Sequence, residues 1–183
     1  MLYILHNNSF KKIELNSVFL QELRYENISE SPNEAYGCVI HGISISKSLT
    51  SLVIHNNRAI TFEWFDQIKI ALSYITHLCL DGCHPSLKCV RVSSRSLRRI
   101  GIGIQGFEEL VIVDASKLQK LKLTCYDSFP KTPSFKLNNV INQDLIVVKV
   151  IFSAPITGYD EVISYLGMFR FTRKLKIQFD QVR

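Results

Sequence analysis

Apolar residues along this chain recur in a short block, at the first, fourth and sixth of six places. Because side chains alternate between the two sides of a strand, the fourth and sixth places share one side, so each block predicts a strand with one buried face. A block at Thr172 lacks the first apolar residue, and the complete blocks begin at Phe10, Leu20, Leu49, Ile75, Leu87, Leu97, Phe107, Leu118 and Leu145.

Two blocks continue to a ninth place with a residue that can hydrogen-bond backbone groups where the chain leaves the strand. These residues are Asn57, after the block at Leu49, and Cys83, after the block at Ile75. The two blocks start 26 residues apart, within the usual leucine-rich-repeat length of roughly 20 to 29 residues. We therefore interpret Asn57 and Cys83 as a structural ladder between successive repeats.

The spacing of the blocks predicts two kinds of coil. Blocks at Leu118, Leu145 and Thr172 follow at intervals of 27 residues, whereas those from Ile75 to Leu118 follow at 12, 10, 10 and 11. An interval of about ten residues cannot hold a strand, a helix and two turns. Two short blocks are therefore predicted to form one coil with a strand on each side, which gives coils of 22 and 21 residues.

The longer coils have room for helices. Residues 61–74 predict a helix capped by Thr61, and residues 160–169 predict a second one; the first buries Trp64, Phe65, Ile68, Ala71 and Leu72. Residues 38–40 and 43–45 read as strands, and residues 30–34 and 127–139 as loops. The predicted fold class is α/β, an irregular, strand-rich leucine-rich-repeat solenoid with a few helices on its outer side, and residues 1–183 form a single array, best defined over 49–125.

Composition supports a folded domain with a basic surface. Hydrophobic residues make up 46% of the chain, charged residues 21%, and the formal net charge is +6. No apolar run reaches the roughly 18 residues of a membrane span. Five cysteines at irregular spacing favour reduced thiols over a disulfide framework, which predicts a cytoplasmic or nuclear protein.

Charged residues fall at strand places that should face away from the core. Together with His55 and His77, the candidate partner-binding strand face comprises Arg99, Lys120, Lys122, Lys149, Lys174 and Lys176. Such a basic stripe could meet an acidic protein segment or a nucleic-acid backbone. No aromatic residues interleave it as stacking on single strands would require, so the pattern favours a protein partner.

Residues that invite an enzymatic or metal-binding interpretation do not form a known pattern. His77, Cys79, Cys83 and Cys89 could ligate zinc, but Cys83 should face inward while His77 and Cys79 should face outward. His55, His77 and Asp81 on neighbouring strands lack an activating turn. The alternating glycines of residues 101–106 indicate close packing of backbone between coils, not a dinucleotide loop. We expect no catalytic residue, no metal and no cofactor.

Three segments carry a family resemblance: SLKCVRV at residues 86–92, GFEELVIVDA at 106–115 and LQKLKL at 118–123. They resemble the repeat arrays of plant F-box/leucine-rich-repeat proteins, including the group with a C-terminal FBD region, and the likeness is clearest over residues 49–125. The resemblance implies a protein-interaction scaffold, the substrate-recognition region of a ubiquitin ligase adaptor. The alternative is a basic solenoid that binds nucleic acid or another acidic partner.

The sequence departs from that family at one point that matters for mechanism. The F-box, a helical segment that docks on the Skp adaptor, is not found in it, and the chain begins in mid-pattern. We therefore expect either a fragment of a longer solenoid or a relative that has lost the F-box, and we do not expect the chain to bind the Skp adaptor.

Overall fold

The computed structural model describes residues 1–6, 11–28, 37–113, 116–126, 134–137, 147–152 and 172–179. A parallel sheet of eight strands, here called the main sheet, dominates them, and its strands pair in the order in which they occur along the chain. Its strands are β1 (Leu2–His6), β3 (Glu22–Asn27), β5 (Ser51–His55), β6 (His77–Asp81), β8 (Arg99–Gly103), β10 (Lys120–Cys125), β12 (Val147–Phe152) and β13 (Lys174–Phe179).

Shorter elements lie in the chain between successive main-sheet strands. The second sheet has three parallel strands, β7 (Cys89–Ser93), β9 (Glu109–Val113) and β11 (Ser134–Leu137), and a two-stranded parallel sheet pairs β2 (Lys12–Glu14) with β4 (Val39–His41). Helix α1 (Phe62–Ile68) and the 3₁₀ helices Ile43–Ile45 and Ala71–Tyr74 complete the elements of the part described. The result is a strand-rich α/β fold with parallel sheets.

The core lies behind the main sheet and includes two aligned rows of side chains. The predicted fourth and sixth places of the blocks supply these rows, which the pairing register and the burial confirm. The first row contains Leu23, Leu52, Leu78, Ile100, Leu121 and Val148, and the second contains Tyr25, Ile54, Leu80, Ile102, Leu123 and Val150. Each such side chain contributes roughly 1.5–3 kcal/mol through burial.

The short coils have a strand on each side, as their spacing predicts. His77 pairs with Arg99 and Arg99 with Lys120, so consecutive main-sheet strands are 22 and 21 residues apart. Between them, β7 and β9 pair with each other in the second sheet, with Val90 aligned to Leu110. Both of these residues are fully buried, so the short coils are closed by apolar contacts from both sheets.

The helix predicted over residues 61–74 is shorter than expected. Thr61 caps it, since its Oγ1 accepts a hydrogen bond of 3.3 Å from the Trp64 N–H, but α1 ends at Ile68. A 3₁₀ helix follows, in which the Ser73 N–H and hydroxyl both donate to the Ile70 carbonyl. A serine that bonds the carbonyl three residues earlier favours this tighter turn. The five predicted core residues of this stretch are all buried.

Three further predictions need correction. Residues 43–45 form a 3₁₀ helix and not a strand, because Gly42 (φ 80°) starts a turn there. Residues 134–137, expected within a loop, form β11 and pair with β9. The first residues were not predicted as a strand, yet β1 aligns Leu2 with Leu23 in the main sheet. The predicted loop at 30–34 and helix at 160–169 lie outside the described residues.

Candidate partner-binding face of the main sheet

The side of the main sheet away from the core, here called the solvent face, presents three rows of side chains across the strands. They follow from the pairing register. The first row reads Glu22, Ser51, His77, Arg99, Lys120, Val147, Lys174; the middle row Tyr3, Arg24, Val53, Cys79, Gly101, Lys122, Lys149, Lys176; and the last row Leu5, Glu26, His55, Asp81, Gly103, Thr124, Ile151, Gln178.

The structure brings the predicted basic residues together at one end of this face. Adjacent strands of a sheet are about 4.8 Å apart, so aligned residues are close neighbours. We call the following group the basic cluster: Arg99 and Lys120 in the first row, Lys122, Lys149 and Lys176 in the middle row, and Lys174 in the first row of β13. Like charges held this closely favour an acidic counterpart.

The two predicted histidines lie on the solvent face but at opposite ends of their strands. His77 begins β6 in the first row, aligned with Arg99, and burial followed by the charge of that arginine lowers the pKa of its imidazole. His55 ends β5 in the last row, and its Nδ1 lies 3.7 Å from Asp81 Oδ2. His55 on the neighbouring strand therefore contacts Asp81, whereas His77 lies at the opposite end of β6 from it.

Asp81 is the centre of a polar group that bridges three strands, here called the Asp81 cluster. The Tyr126 hydroxyl, just after β10, donates to Asp81 Oδ1. Lys122 Nζ lies 3.7 Å from Oδ2, as does His55 Nδ1. The side chain of Asp81 is 13% exposed and that of Lys122 is 42% exposed. A nearly buried carboxylate is thus held in place between groups from β5 and β10.

Two glycines of β8 make room for this cluster. A Cβ on Gly103 would overlap the Asp81 carboxylate, with Cγ at 2.8 Å, and would approach Thr124 Cβ to 3.0 Å. A Cβ on Gly101 would lie 3.0 Å from Cys79 Sγ. The glycines therefore accommodate neighbouring side chains, which corrects the expectation that backbone packs against backbone there.

Electrostatics keep Asp81 ionised despite its burial. Desolvation raises the pKa of this carboxyl, but the nearby His55, the hydrogen bond from Tyr126 and the positive charge of Lys122 outweigh it, and the pKa falls below its ordinary value. Burial, followed by the hydrogen bond to Asp81, raises the pKa of the Tyr126 hydroxyl far above its ordinary value. At neutral pH the site therefore contains a fixed negative charge and a hydroxyl that stays protonated.

The opposite end of the solvent face has a mixed charge. Arg24 and Glu26 form an ion pair of 3.5 Å, and the Tyr3 hydroxyl donates to Glu26 at 3.2 Å. The Arg24 guanidinium also lies 5.3 Å from the centroid of the Tyr3 ring. Positive charge is consequently compensated at β1 and β3 and concentrated from β8 to β13.

The ladder residues lie behind the sheet, at the edge where chains leave the strands. Asn57 is fully buried; its side-chain amide donates to the Cys38 carbonyl at 2.9 Å, and its Oδ1 accepts from the Ala59 N–H at 3.0 Å. Cys83 is buried within the apolar core, and burial raises the pKa of its thiol. The asparagine therefore links neighbouring coils through its hydrogen bond to Cys38, whereas the cysteine contributes apolar contact.

Two serines with a similar bonding role were missed at the sequence level. Ser94 Oγ donates to the Ile75 carbonyl at 2.8 Å, and Ser46 Oγ donates to the Ser17 carbonyl at 2.7 Å. Both serines are buried. The sequence signal for them is a serine three residues before the first apolar place of a block, as at Leu97 and Leu49.

The residues weighed for chemistry are separated by the sheet. Cys79 lies on the solvent face and burial raises the pKa of its thiol to about 11, whereas Cys83 lies in the core. Cys89 belongs to the second sheet, where its thiol contacts Glu109. Among the described residues, no group of three or more His, Cys, Asp or Glu side chains is placed to hold a metal ion.

A main sheet of parallel strands, with buried apolar rows behind it and the basic cluster in front, is consistent with the leucine-rich-repeat class. Residues 71–139 match the family model of the leucine-rich repeats of FBD-associated F-box protein At5g56370. The match is to the repeat region, and it confirms the resemblance over residues 71–125 and extends it to 139. Neither the curated proteins nor the solved structures give a significant match. No helix within the described ranges is long and apolar enough to span a membrane.

Proposed function

We propose that this chain is a protein-interaction scaffold, a leucine-rich-repeat solenoid formed by a single array over residues 1–183, which binds its partner on the solvent face of the main sheet. The observation that carries the proposal is the basic cluster, in which strands β8, β10, β12 and β13 hold six cations on one side. Paired strands are rigid, so these side chains reach a partner with little loss of backbone entropy on binding.

The family match supports a more specific role. Residues 71–139 are similar to the repeat region of an F-box protein, and we infer that the array recognises substrates for a ubiquitin ligase, with His55 and His77 contributing to the binding face. This is a binding role and not an enzymatic one. All five cysteines are free thiols, which supports a place in the cytosol or nucleus.

A selection experiment tests the binding face. A displayed peptide library is selected against the wild-type chain, and the binders are then assayed against the variant Lys149→Glu/Lys176→Glu. Arg58→Glu/Arg91→Glu is the matched control, since both arginines are exposed, lie outside the main sheet, and change the net charge equally. The proposal expects binding to be lost in the first variant and kept in the control. Equal retention by both variants would refute the solvent face as the binding surface.

The ubiquitin role has a separate test. A protein bound through the solvent face should have a longer half-life in cells depleted of this chain, because its ubiquitylation is reduced. An unchanged half-life, with binding intact, would refute the ligase role and leave the scaffold role standing.

Nucleic acid is the second candidate ligand, favoured by one observation, the unbroken middle row of Lys122, Lys149 and Lys176. The solvent-face positions of β8, β10, β12 and β13 contain no aromatic residue for base stacking. Binding to phosphates should weaken by orders of magnitude from low to moderate salt. A filter-binding titration without retention at low salt would eliminate this candidate.

A further inference from the structure

The solvent face divides into two electrostatic halves. From β8 to β13 the solvent face presents the basic cluster. At β1 and β3 the charge of Arg24 is already paired with that of Glu26. Between the halves lies Asp81, whose carboxylate contacts Lys122 at 3.7 Å. The positive region thus ends at a fixed negative charge.

The dimensions of the basic cluster define the shape of a matching ligand. Its four strands span three spacings of about 4.8 Å, or about 14 Å, and its two rows lie two residues apart, about 6.7 Å along the strands. An extended peptide advances about 3.3 Å per residue and turns alternate side chains to one side. A segment of about five residues with two or three carboxylates would therefore cross the cluster and reach both rows.

The neighbours of Asp81 hold its carboxylate in place and keep it ionised. Its carboxylate is held by Tyr126 and His55, it occupies the space left by Gly103, and its side chain is 13% exposed. It also holds Lys122, which would otherwise be available to a ligand. A carboxylate arriving above β6 would meet a like charge, whereas one above β12 would meet lysines.

We propose that the solvent face binds an extended acidic protein segment that lies across β8, β10, β12 and β13. Asp81, on β6, is a specificity-determining residue, because its charge repels the segment beyond β8. This inference rests on the proposed function and adds to it the chemistry and the position of the bound segment. The segment is recognised through its carboxylates, by Lys149, Lys174 and Lys176 above all, and Lys122 is shared between the ligand and Asp81.

The test measures binding of a fluorescent glutamate-rich peptide by anisotropy at low and moderate salt. A lysine-rich peptide of equal length and a short single-stranded RNA are the comparison probes. The variants are Lys149→Gln/Lys176→Gln with Arg58→Gln/Arg91→Gln as its control, and Asp81→Asn with Asp66→Asn as its control. The amide that Asp81→Asn introduces retains an oxygen acceptor for Tyr126. Asp66 lies on α1, outside the main sheet, where its exposed side chain pairs with Lys69.

Removing the two lysines should weaken glutamate-peptide binding by about two- to fivefold for each lysine, the range for exposed ion pairs. Asp81→Asn should tighten it by a similar factor, because it removes a repulsive charge and releases Lys122. Neither control should change it. Equal weakening in both lysine and arginine variants, tighter binding of the RNA, or no effect of Asp81→Asn would overturn the proposal.

These failures are distinguishable from failure of the proposed function. If the glutamate-rich peptide does not bind but the display selection still yields binders that depend on Lys149 and Lys176, the inference is wrong and the scaffold role stands. If the selection yields no such binders, both are wrong.

Discussion

Replacement of Gly103 by alanine should destabilise the protein through a clash with a single side chain. The added Cβ would overlap the Asp81 carboxylate, because it would lie only 2.8 Å from Asp81 Cγ. It would also lie 3.0 Å from Thr124 Cβ. To relieve the overlap, the carboxylate must leave its position and lose its contacts with Tyr126 and His55. Overpacking costs about 1–3 kcal/mol and a lost hydrogen bond to a charged group about 1.5–3 kcal/mol. Because the effects overlap, we expect a loss of about 2–4 kcal/mol.

A double-mutant cycle isolates the cause of this loss. In an Asp81→Ala background the obstructing carboxylate is absent, and alanine is otherwise preferred over glycine in a strand interior by roughly 0.5–1 kcal/mol. Gly103→Ala should then cost far less, which gives a coupling of at least about 1 kcal/mol. Gly101→Ala is the matched substitution on the same strand; it meets one flexible atom, Cys79 Sγ at 3.0 Å, and should cost about 1 kcal/mol or less.

The assay is urea unfolding followed by far-UV circular dichroism for the wild type, both single variants and the double variant. If Gly103→Ala is as costly without the Asp81 side chain as with it, the clash is not the cause. If Gly101→Ala proves the more damaging of the two glycine substitutions, the geometry assigned to β8 is wrong.

Three further outcomes can be measured by the same method. Leu110→Asp should prevent folding, because it places an unpaired charge among buried side chains of β9. Glu109→Lys at the preceding position should fold, and equal behaviour of the two variants would show that the register is wrong. Asn57→Ala should cost about 2–3 kcal/mol, since it removes one buried and one partly buried hydrogen bond. A change in the urea midpoint too small to measure would contradict the ladder role. In the folded protein the pKa of Asp81 lies below its ordinary value of 3.8. The ionised carboxylate therefore contributes its full stabilisation above pH 3.8 and loses it as the pH falls through the folded pKa. The difference in unfolding free energy between wild type and Asp81→Asn should be larger at pH 7 than at pH 3, and a constant difference would be inconsistent with this pKa.

The sequence alone predicts the repeat, because side chains alternate between the two sides of a strand and so produce a local pattern of apolar residues. Leu78 and Leu80 occupy the fourth and sixth places of their block and lie in the two buried rows. Block spacing also predicts the two-strand coils, since intervals of 10 to 12 residues between the blocks from Ile75 to Leu118 cannot hold a strand, a helix and two turns. The same alternation assigns Lys122 and Lys149 to the solvent face, where the structure aligns them.

Only the tertiary structure decides which distant residues meet across the strands. Asp81 and Tyr126 are 45 residues apart, and no local pattern indicates that a side chain of β6 crosses β8 to reach the end of β10. The need for glycine in β8 is explained only by the side chains of Cys79 and Asp81 that lie beside it. Likewise, residues 134–137 become a strand because β9 offers an edge for pairing. Periodicity reports the direction of each side chain, whereas its neighbours are set by the register between coils, and register is a property of the folded sheet.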